Sequence, residues 1–325
     1  MSADYVAMRV AVIGGGVSGL TCGVRLAEEG VRVTILTRER AADTTSAVAG
    51  AVWFPYRVRP NERTGPWGRA GYERFERLAR DGGAPVHMVE LTALYPEPLP
   101  EEPWWLAAVP GAGVRAARPE ELPVGYADGR VVRVPCIEAP AYLEWLEQRF
   151  VSLGGAIELG EVSSLDEPDG EVVVNCAGVG ARRLAGDPEL RPVRGQVAYV
   201  RARERLRFMV DETGPNALAY VLPRPGVVVL GGTAEEDDWE LRPRPETTRS
   251  ILERTCHLDP RLADAELVGA AVGLRPARPE VRLEADVLPD GRPLVHDYGH
   301  GGSGFTLSWG CAEEVVRIVE GTRAA

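Results

Sequence analysis

The chain has 325 residues, 37 of them basic and 48 acidic, for a net charge of −11. Every basic residue counted is arginine, which excludes a pyridoxal or aldolase Schiff base, a lysine-bearing P-loop and a protein-kinase site. The acidic balance argues against nucleic acid as a partner, and no apolar run reaches the roughly 18 residues of a membrane span. Residues 9–13 (RVAVI) are a short apolar run ending in glycines, the pattern of a buried parallel strand. Val17, Leu20, Val24 and Ala27 then recur at helical spacing over 17–29, and Gly30 closes that helix. Residues 31–36 (VRVTIL) give a second strand and complete a βαβ unit. The stretch 57–139 is dense in Pro, Gly and Trp and predicts a separate sheet with irregular loops, Val131–Val134 being one strand. Residues 140–150 predict a helix, 171–174 a strand and 195–232 a set of antiparallel strands. Residues 246–256 predict another helix. The end runs from a strand at 293–296 through a glycine cluster to a helix at about 305–320.

This order predicts an α/β fold with α+β elements, as two interleaved domains. A Rossmann-like dinucleotide-binding domain takes 8–56, 140–190 and 270–321, and a mainly antiparallel β domain takes 57–139 and 191–269. The five cysteines, at 22, 136, 176, 256 and 311, show no C-x-x-C spacing, which predicts reduced thiols rather than a metal or disulfide framework. The first residues lack a basic n-region, and the C-terminal Arg323-Ala324-Ala325 is not a peroxisomal tripeptide. A cytoplasmic location is the expectation.

Gly14-Gly15-Gly16-Val17-Ser18-Gly19 matches G-x-G-x-x-G between a strand and a helix, the context that motif requires. Gly14 permits the tight turn, Gly16 lets a pyrophosphate approach the backbone, and Gly19 lets helix and strand pack closely. The acid expected about 20 residues on is missing. Thr37 stands at its position, with Arg38 and Glu39 as the neighbouring candidates. Gly299-His300-Gly301-Gly302-Ser303-Gly304 repeats the glycine spacing before the last helix. Two glycine-opened helix ends can serve two ends of one extended cofactor, and a flavin suits them because its reduced ring gains negative charge. A glycine turn with packing value only is the competing reading. His296 and His300 are four apart, but the glycines around them argue against a helical metal face, and no metal is expected.

With Asn175-Cys176-Ala177-Gly178 and Gly273-Leu274-Arg275-Pro276 added, the chain resembles the D-amino acid oxidase family, which includes D-aspartate oxidase. The matching pieces occur in family order: VIGGGVSGL (12–20), TTSAVAGAVWFPY (44–56), VVNCAGVGA (173–181), RGQ (194–196), YVLPRPGVVVLGG (220–232), GLRPARPEVRLE (273–284) and HDYGHGGSGFTLSWGCA (296–312). The resemblance implies FAD as cofactor, with the first domain FAD-binding and the second substrate-binding. It implies pyrophosphate contacts at Gly14, Gly16, Ser18 and Gly19, and adenosine contacts at Arg38, Val162 and Gly178. Thr44 and Thr45 would also meet the cofactor, Ala49 and Gly50 would lie against the flavin near N5, and Gly301, Gly302, Gly304, Phe305 and Thr306 would line its pyrimidine edge. Arg275 would clamp the substrate carboxylate beside the flavin, Tyr220 would donate to the same carboxylate, and the Gly302 carbonyl would accept from the amine. Phe54, with Phe208 and Met209, would wall a pocket for apolar side chains.

The implied activity is oxidative deamination of a D-amino acid by hydride transfer to flavin N5, with no acid–base side chain. Molecular oxygen is the second substrate, the products are a 2-oxo acid, ammonia and hydrogen peroxide, and a homodimer is the expected assembly. The alternatives are a D-aspartate oxidase, a glycine oxidase and a flavin-binding protein without catalysis. Arg57 and Arg224 are the candidate basic groups for an acidic substrate, against a reading of both as solvated surface arginines. Asn216, Ala217 and Leu218 stand where mammalian members carry a second lid tyrosine, which predicts a shorter lid.

Overall fold

The structure is a computed structural model that describes residues 8–111, 113–214 and 216–322. In chain order it opens with β1 (Arg9–Ile13), α1 (Val17–Glu28), β2 (Arg32–Thr37), α2 (Thr45–Val48), α3 (Thr64–Asp81) and β3 (Val86–Tyr95). β4 (Val114–Ala116), β5 (Asp128–Ile137), α4 (Ala139–Ser152), β6 (Ala156–Leu159), β7 (Val172–Asn175) and α5 (Ala181–Leu184) follow. The second half holds β8 (Arg191–Arg201), β9 (Phe208–Asp211), β10 (Ala219–Arg224), β11 (Val227–Gly231), β12 (Glu235–Glu236) and α6 (Pro245–Leu258). It closes with β13 (Glu266–Val287), β14 (Pro293–His300) and α7 (Gly304–Gly321).

The strands pair in the order β4-β5-β3-β9-β10-β11-β8-β13-β14-β7-β1-β2-β6, with β12 beside β8. β6, β2, β1, β7 and β14 form the parallel part, as the βαβ pattern predicts. β14, β13, β8, β11, β10 and β9 pair antiparallel in turn. The β-rich segments therefore do not make a separate sheet; they continue the parallel one. β13 is the bridge, a 22-residue strand unrecognised in the sequence because Pro276 and Pro279 interrupt it. Its register shifts between Ala277 and Arg282, so its first half pairs with β8 and most of its second half with β14. Pro279 falls inside that shifted stretch, where the ladder bond it lacks is already broken, while Pro276 stays in register opposite Pro192 of β8.

The stretch 57–139, expected to be mainly β, contains the 18-residue helix α3. Its TGPWG start has the composition of a loop, but a glycine one turn on, Gly71, serves helix packing. A Cβ on Gly71 would stand 2.2 Å from the Thr306 carbonyl oxygen, and one on Gly310 would stand 2.4 Å from the Trp67 Cα, so α3 and α7 touch backbone to backbone. β14 also runs on to His300, four residues past its expected end.

The main core lies where α1, α4 and α7 cover the parallel strands, around Leu20, Leu26, Phe75, Leu143, Phe150 and Trp309, all buried. Each large apolar side chain buried there contributes roughly 1.5–3 kcal/mol. A second core gathers Trp53, Phe54, Tyr72, Trp105 and Val132 under α3. A third joins Met209, Val221, Leu230 and Ile251 beneath α6. Among the described residues no helix is long and apolar enough to cross a membrane.

Candidate active site

The turn between β1 and α1 is Gly14-Gly15-Gly16. Gly14 has φ +116°, a conformation natural only to glycine, and its N–H donates to the Leu36 carbonyl at 2.8 Å. A Cβ on Gly14 would lie 2.4 Å from the Cys176 carbonyl oxygen, and one on Gly19 would lie 1.9 Å from that of Gly14. Gly16 is open by comparison, since a Cβ there would meet only Ser46 Oγ, at 3.1 Å. α1 starts with no acidic residue in its first turn and no side-chain cap from Gly16; only Ser46 Oγ meets the Val17 N–H, at 3.0 Å. Such an uncapped helix end attracts phosphate.

α7 presents a second helix end. Ser303 does not cap it, because the Ser303 hydroxyl donates to the Tyr56 carbonyl at 2.8 Å. Gly301 has φ +57°, and a Cβ on it would stand 2.6 Å from the Arg57 carbonyl oxygen. Thr306 binds the Phe54 backbone at both N–H (3.1 Å) and C=O (3.0 Å), fixing the 54 loop to α7. Both helix ends open on one cavity of about 810 Å3, within the roughly 300–1,000 Å3 of small-molecule and cofactor sites.

Of the predicted site residues, Gly14, Gly16, Ser18, Arg38, Thr44, Thr45, Ala49, Gly50, Phe54, Val162, Gly178, Tyr220, Arg275, Gly301, Gly302, Gly304, Phe305 and Thr306 line this cavity. Gly19 is not on the wall; its contact with the Gly14 carbonyl makes it a packing glycine. Thr37, Arg38 and Glu39 all line the cavity. Thr37 packs on Gly15, its hydroxyl donates to the Glu39 carbonyl at 2.8 Å, and Arg38 pairs with Glu39 at 3.3 Å.

The two glycine loops are joined underneath by Asp297, a residue of the C-terminal motif without an expected role. Its buried carboxylate accepts from the Ser18 hydroxyl and lies 3.1 Å from His300 Nε2. Burial alone would push this carboxyl up, but His300 and Ser18 outweigh it and hold Asp297 below the ordinary carboxylate value. Ser18 spends its hydroxyl proton there, leaving its backbone N–H for a ligand.

Arg275 arrives on β13, Tyr220 on β10 and Gly302 in the loop before α7. The Arg275 Nη1 donates to the Thr233 carbonyl at 2.7 Å. Its guanidinium lies flat on Gly195, where a Cβ would be 2.2 Å from Nη1, and its Cζ is 5.4 Å from the Tyr56 ring centre. No carboxylate of the described residues pairs with it. The Tyr220 ring packs on Gly231, where a Cβ would be 1.9 Å from Cζ. Burial pushes the Tyr220 phenol up, with Arg275 opposing, so it remains a protonated donor at neutral pH. Tyr56, unassigned from the sequence, covers Gly302: a Cβ there would be 2.2 Å from its Cδ1.

Two expectations are corrected. Arg224 is no surface residue: its side chain is 5% exposed. It donates to the Gly50 carbonyl and Cys136 Sγ, lies 3.5 Å from Glu138, and is off the cavity wall. Arg57, by contrast, is exposed as the surface reading has it, pairs with Glu236 and does not line the cavity. Phe208 and Met209 do not wall the cavity; Val210 does, and Met209 faces the third core. Arg194 of the RGQ segment is fully buried and binds Glu235, Gln196 and the carbonyls of Glu240 and Arg242, which pins the 235–244 segment beside the cavity.

Residues 9–318 match the family model described as FAD dependent oxidoreductase, DAO. The chain is 49% identical to a D-amino-acid oxidase of Rubrobacter xylanophilus, covering 96% of each chain. It is 38% identical to a human D-aspartate oxidase, covering 96% of this chain and 94% of that one. A solved glycine oxidase from Bacillus cereus shares the fold, with a TM-score of 0.81, 20% identity and 97% of each chain covered. With this match over nearly its whole length, the chain belongs to the DAO family of FAD-dependent oxidoreductases.

Proposed function

We propose that the protein oxidises D-amino acids to 2-oxo acids, releasing ammonia and hydrogen peroxide. The observation that carries this reading is the convergence, on one cavity with two glycine-opened helix ends, of a guanidinium without a carboxylate partner and a protonated phenol. The 49% identity to a D-amino-acid oxidase supports it further. D-Aspartate oxidation is less favoured: Arg57 and Arg224, the basic groups considered for a second carboxylate, are both off the wall.

The residues present fit FAD. The open face at Gly16 leaves room for a pyrophosphate at the α1 amides, and the α7 end offers a second positive pole. Gly14, Gly16 and the Ser18 backbone would hold the pyrophosphate, and Arg38, Val162 and Gly178 the adenosine side. Thr44, Thr45, Ala49 and Gly50 would meet the middle and ring, and Gly301, Gly304, Phe305 and Thr306 the pyrimidine edge. When bound, FAD supplies the two-electron acceptor for the α-C–H bond and the route of those electrons to oxygen.

The protein's own part is to bind and orient. Arg275 would take the α-carboxylate bidentately, which a planar fork does and an ammonium cannot. Tyr220 would donate to the same carboxylate, and the Gly302 carbonyl would accept from the amine. Three fixed points leave one face of the α-carbon presented, so the hand of the substrate is selected. Phe54 and the Tyr56 ring exclude water at that end. Free, mostly buried cysteines support a reducing, cytoplasmic setting. A homodimer, and a division into an FAD-binding domain at 8–56, 140–190 and 270–321 and a substrate-binding domain at 57–139 and 191–269, complete this reading. The direct test is peroxide release by the purified yellow protein. D-Alanine and D-valine should yield it and their L-forms should not; a colourless protein that releases no FAD on denaturation refutes the reading.

A further inference from the structure

At the end of β9, Val210 and the following Glu212 both line the cavity. Asp211 between them is fully buried and also reaches the lining, while Met209 packs into the third core. The Asp211 carboxylate accepts from the Tyr126 hydroxyl, from the Gly214 N–H at 2.6 Å and from the Asn216 N–H at 3.1 Å. These bonds pin the turn that carries Glu212, so its place on the wall is built by its neighbour. Glu212 itself, among the described residues, has no ion-pair partner within 4 Å, and its carboxyl faces the Arg57 backbone N–H. The ionisable groups around it are Tyr56, Arg57 and Tyr95, and Arg57 is committed to Glu236. Burial pushes the Glu212 carboxyl up to about 7, the Arg57 backbone and charge opposing. A partly buried carboxylate without a paired cation is costly to keep ionised, and a cationic ligand group that pairs with it offsets that cost.

The Arg275 Cζ lies 5.4 Å from the Tyr56 ring, and Tyr220 pairs across the ladder with Val210, two residues before Glu212. The end of β9 that carries Glu212 thus lies beside the residues proposed to hold the α-carboxylate, in the same cavity. We propose that Glu212 reads the substrate's side chain, disfavouring D-amino acids with a second carboxylate and favouring those that carry a cation or hydrogen-bond donor. This rests on the function proposed above.

The test compares the holoenzyme with Glu212→Gln on D-arginine, D-glutamate and D-valine. The ratio of kcat/KM for D-arginine over D-glutamate should fall at least about tenfold in the variant, since opposing like charges at a binding site cost several kcal/mol. In the wild type that ratio should rise between about pH 6 and pH 8 as Glu212 ionises, because neither substrate side chain titrates there. The shared α-amine cancels in the ratio, and Glu212→Gln should flatten the profile. A ratio unchanged by Glu212→Gln, with D-valine turnover intact, overturns the role of Glu212 and leaves the proposed function standing. An equal loss on all three substrates would assign Glu212 to the common amine and also overturn it. Failure of the wild type to oxidise D-valine would refute the proposed function, and this inference with it.

Discussion

Replacing Arg275 with alanine tests the substrate clamp. In the structure this guanidinium spends one N–H on the Thr233 carbonyl, at 2.7 Å, and its charge meets no carboxylate among the described residues. Of the other arginines on the wall, Arg38 pairs with Glu39, Arg183 with Glu161, and Arg182 donates to the Pro188 and Leu190 carbonyls, so the remaining Arg275 donors are the ones left for a substrate carboxylate. Truncating one partner of a buried hydrogen-bonded charge pair costs about 2–5 kcal/mol. At about 1.4 kcal/mol per decade, that is roughly a 30- to 4,000-fold loss in kcat/KM. Arg275→Lys keeps the charge but not the fork and should recover only part of the loss. Steady-state peroxide assays on D-valine measure both variants, with flavin absorbance per mole of protein confirming that the cofactor is retained. A flavin-loaded Arg275→Ala enzyme within about threefold of the wild type would refute the clamp.

Three further outcomes are expected. Gly19→Ala forces a Cβ to 1.9 Å from the Gly14 carbonyl oxygen, so the glycine turn must shift and the purified variant should hold little FAD; a fully yellow protein of unchanged Tm contradicts this. Arg224→Met leaves the Gly50 carbonyl unpaired and Glu138 without its neighbouring cation. It should cost about 3–5 kcal/mol, read by denaturant unfolding, together with faster FAD loss on dilution. The third outcome concerns pH. Burial, with Arg282 adding, depresses His296 to about 4 against Asp286 and Glu284, which oppose it. The unfolded chain binds the proton first, so the stability His296 contributes is complete above about pH 6.5 and is lost as pH falls toward its folded value. His296→Gln should flatten the Tm profile between about pH 6.5 and pH 4 relative to the wild type; a parallel profile would contradict the assignment.

The parallel part of the fold was legible because its signals are local. RVAVI, the glycine turn and the 17–28 helix lie within one short span, and the C-terminal glycine loop repeats that grammar. What escaped depends on distant partners. α3 looks like a loop until Gly71 and Gly310 are seen to let it meet α7, and β13 looks broken until its two halves are paired with different strands. The candidate site divides the same way. Arg275, Tyr220 and Gly302 stand inside recognisable motifs. Arg224 could not be separated from the chain's other arginines, because its burial comes from the Gly50 loop, 174 residues away. Glu212 is one acid among 48, and the anchoring of the turn through Asp211, by Tyr126, Gly214 and Asn216, holds the segment that carries it to the wall. Asp297 was visible in HDYGHGGSG, but its contact with Ser18 spans 279 residues and has no local trace.

The central claim is that this chain binds FAD and uses Arg275, Tyr220 and Gly302 to present D-amino acids to it. Anaerobic mixing of the purified holoprotein with D-valine, followed by visible absorbance, tests it most directly. The account predicts that D-valine bleaches the oxidised flavin bands, that L-valine leaves them in place, and that the D-valine reduction slows sharply in Arg275→Ala. Bound flavin that D-valine cannot bleach, or that D- and L-valine bleach at the same rate, would contradict it.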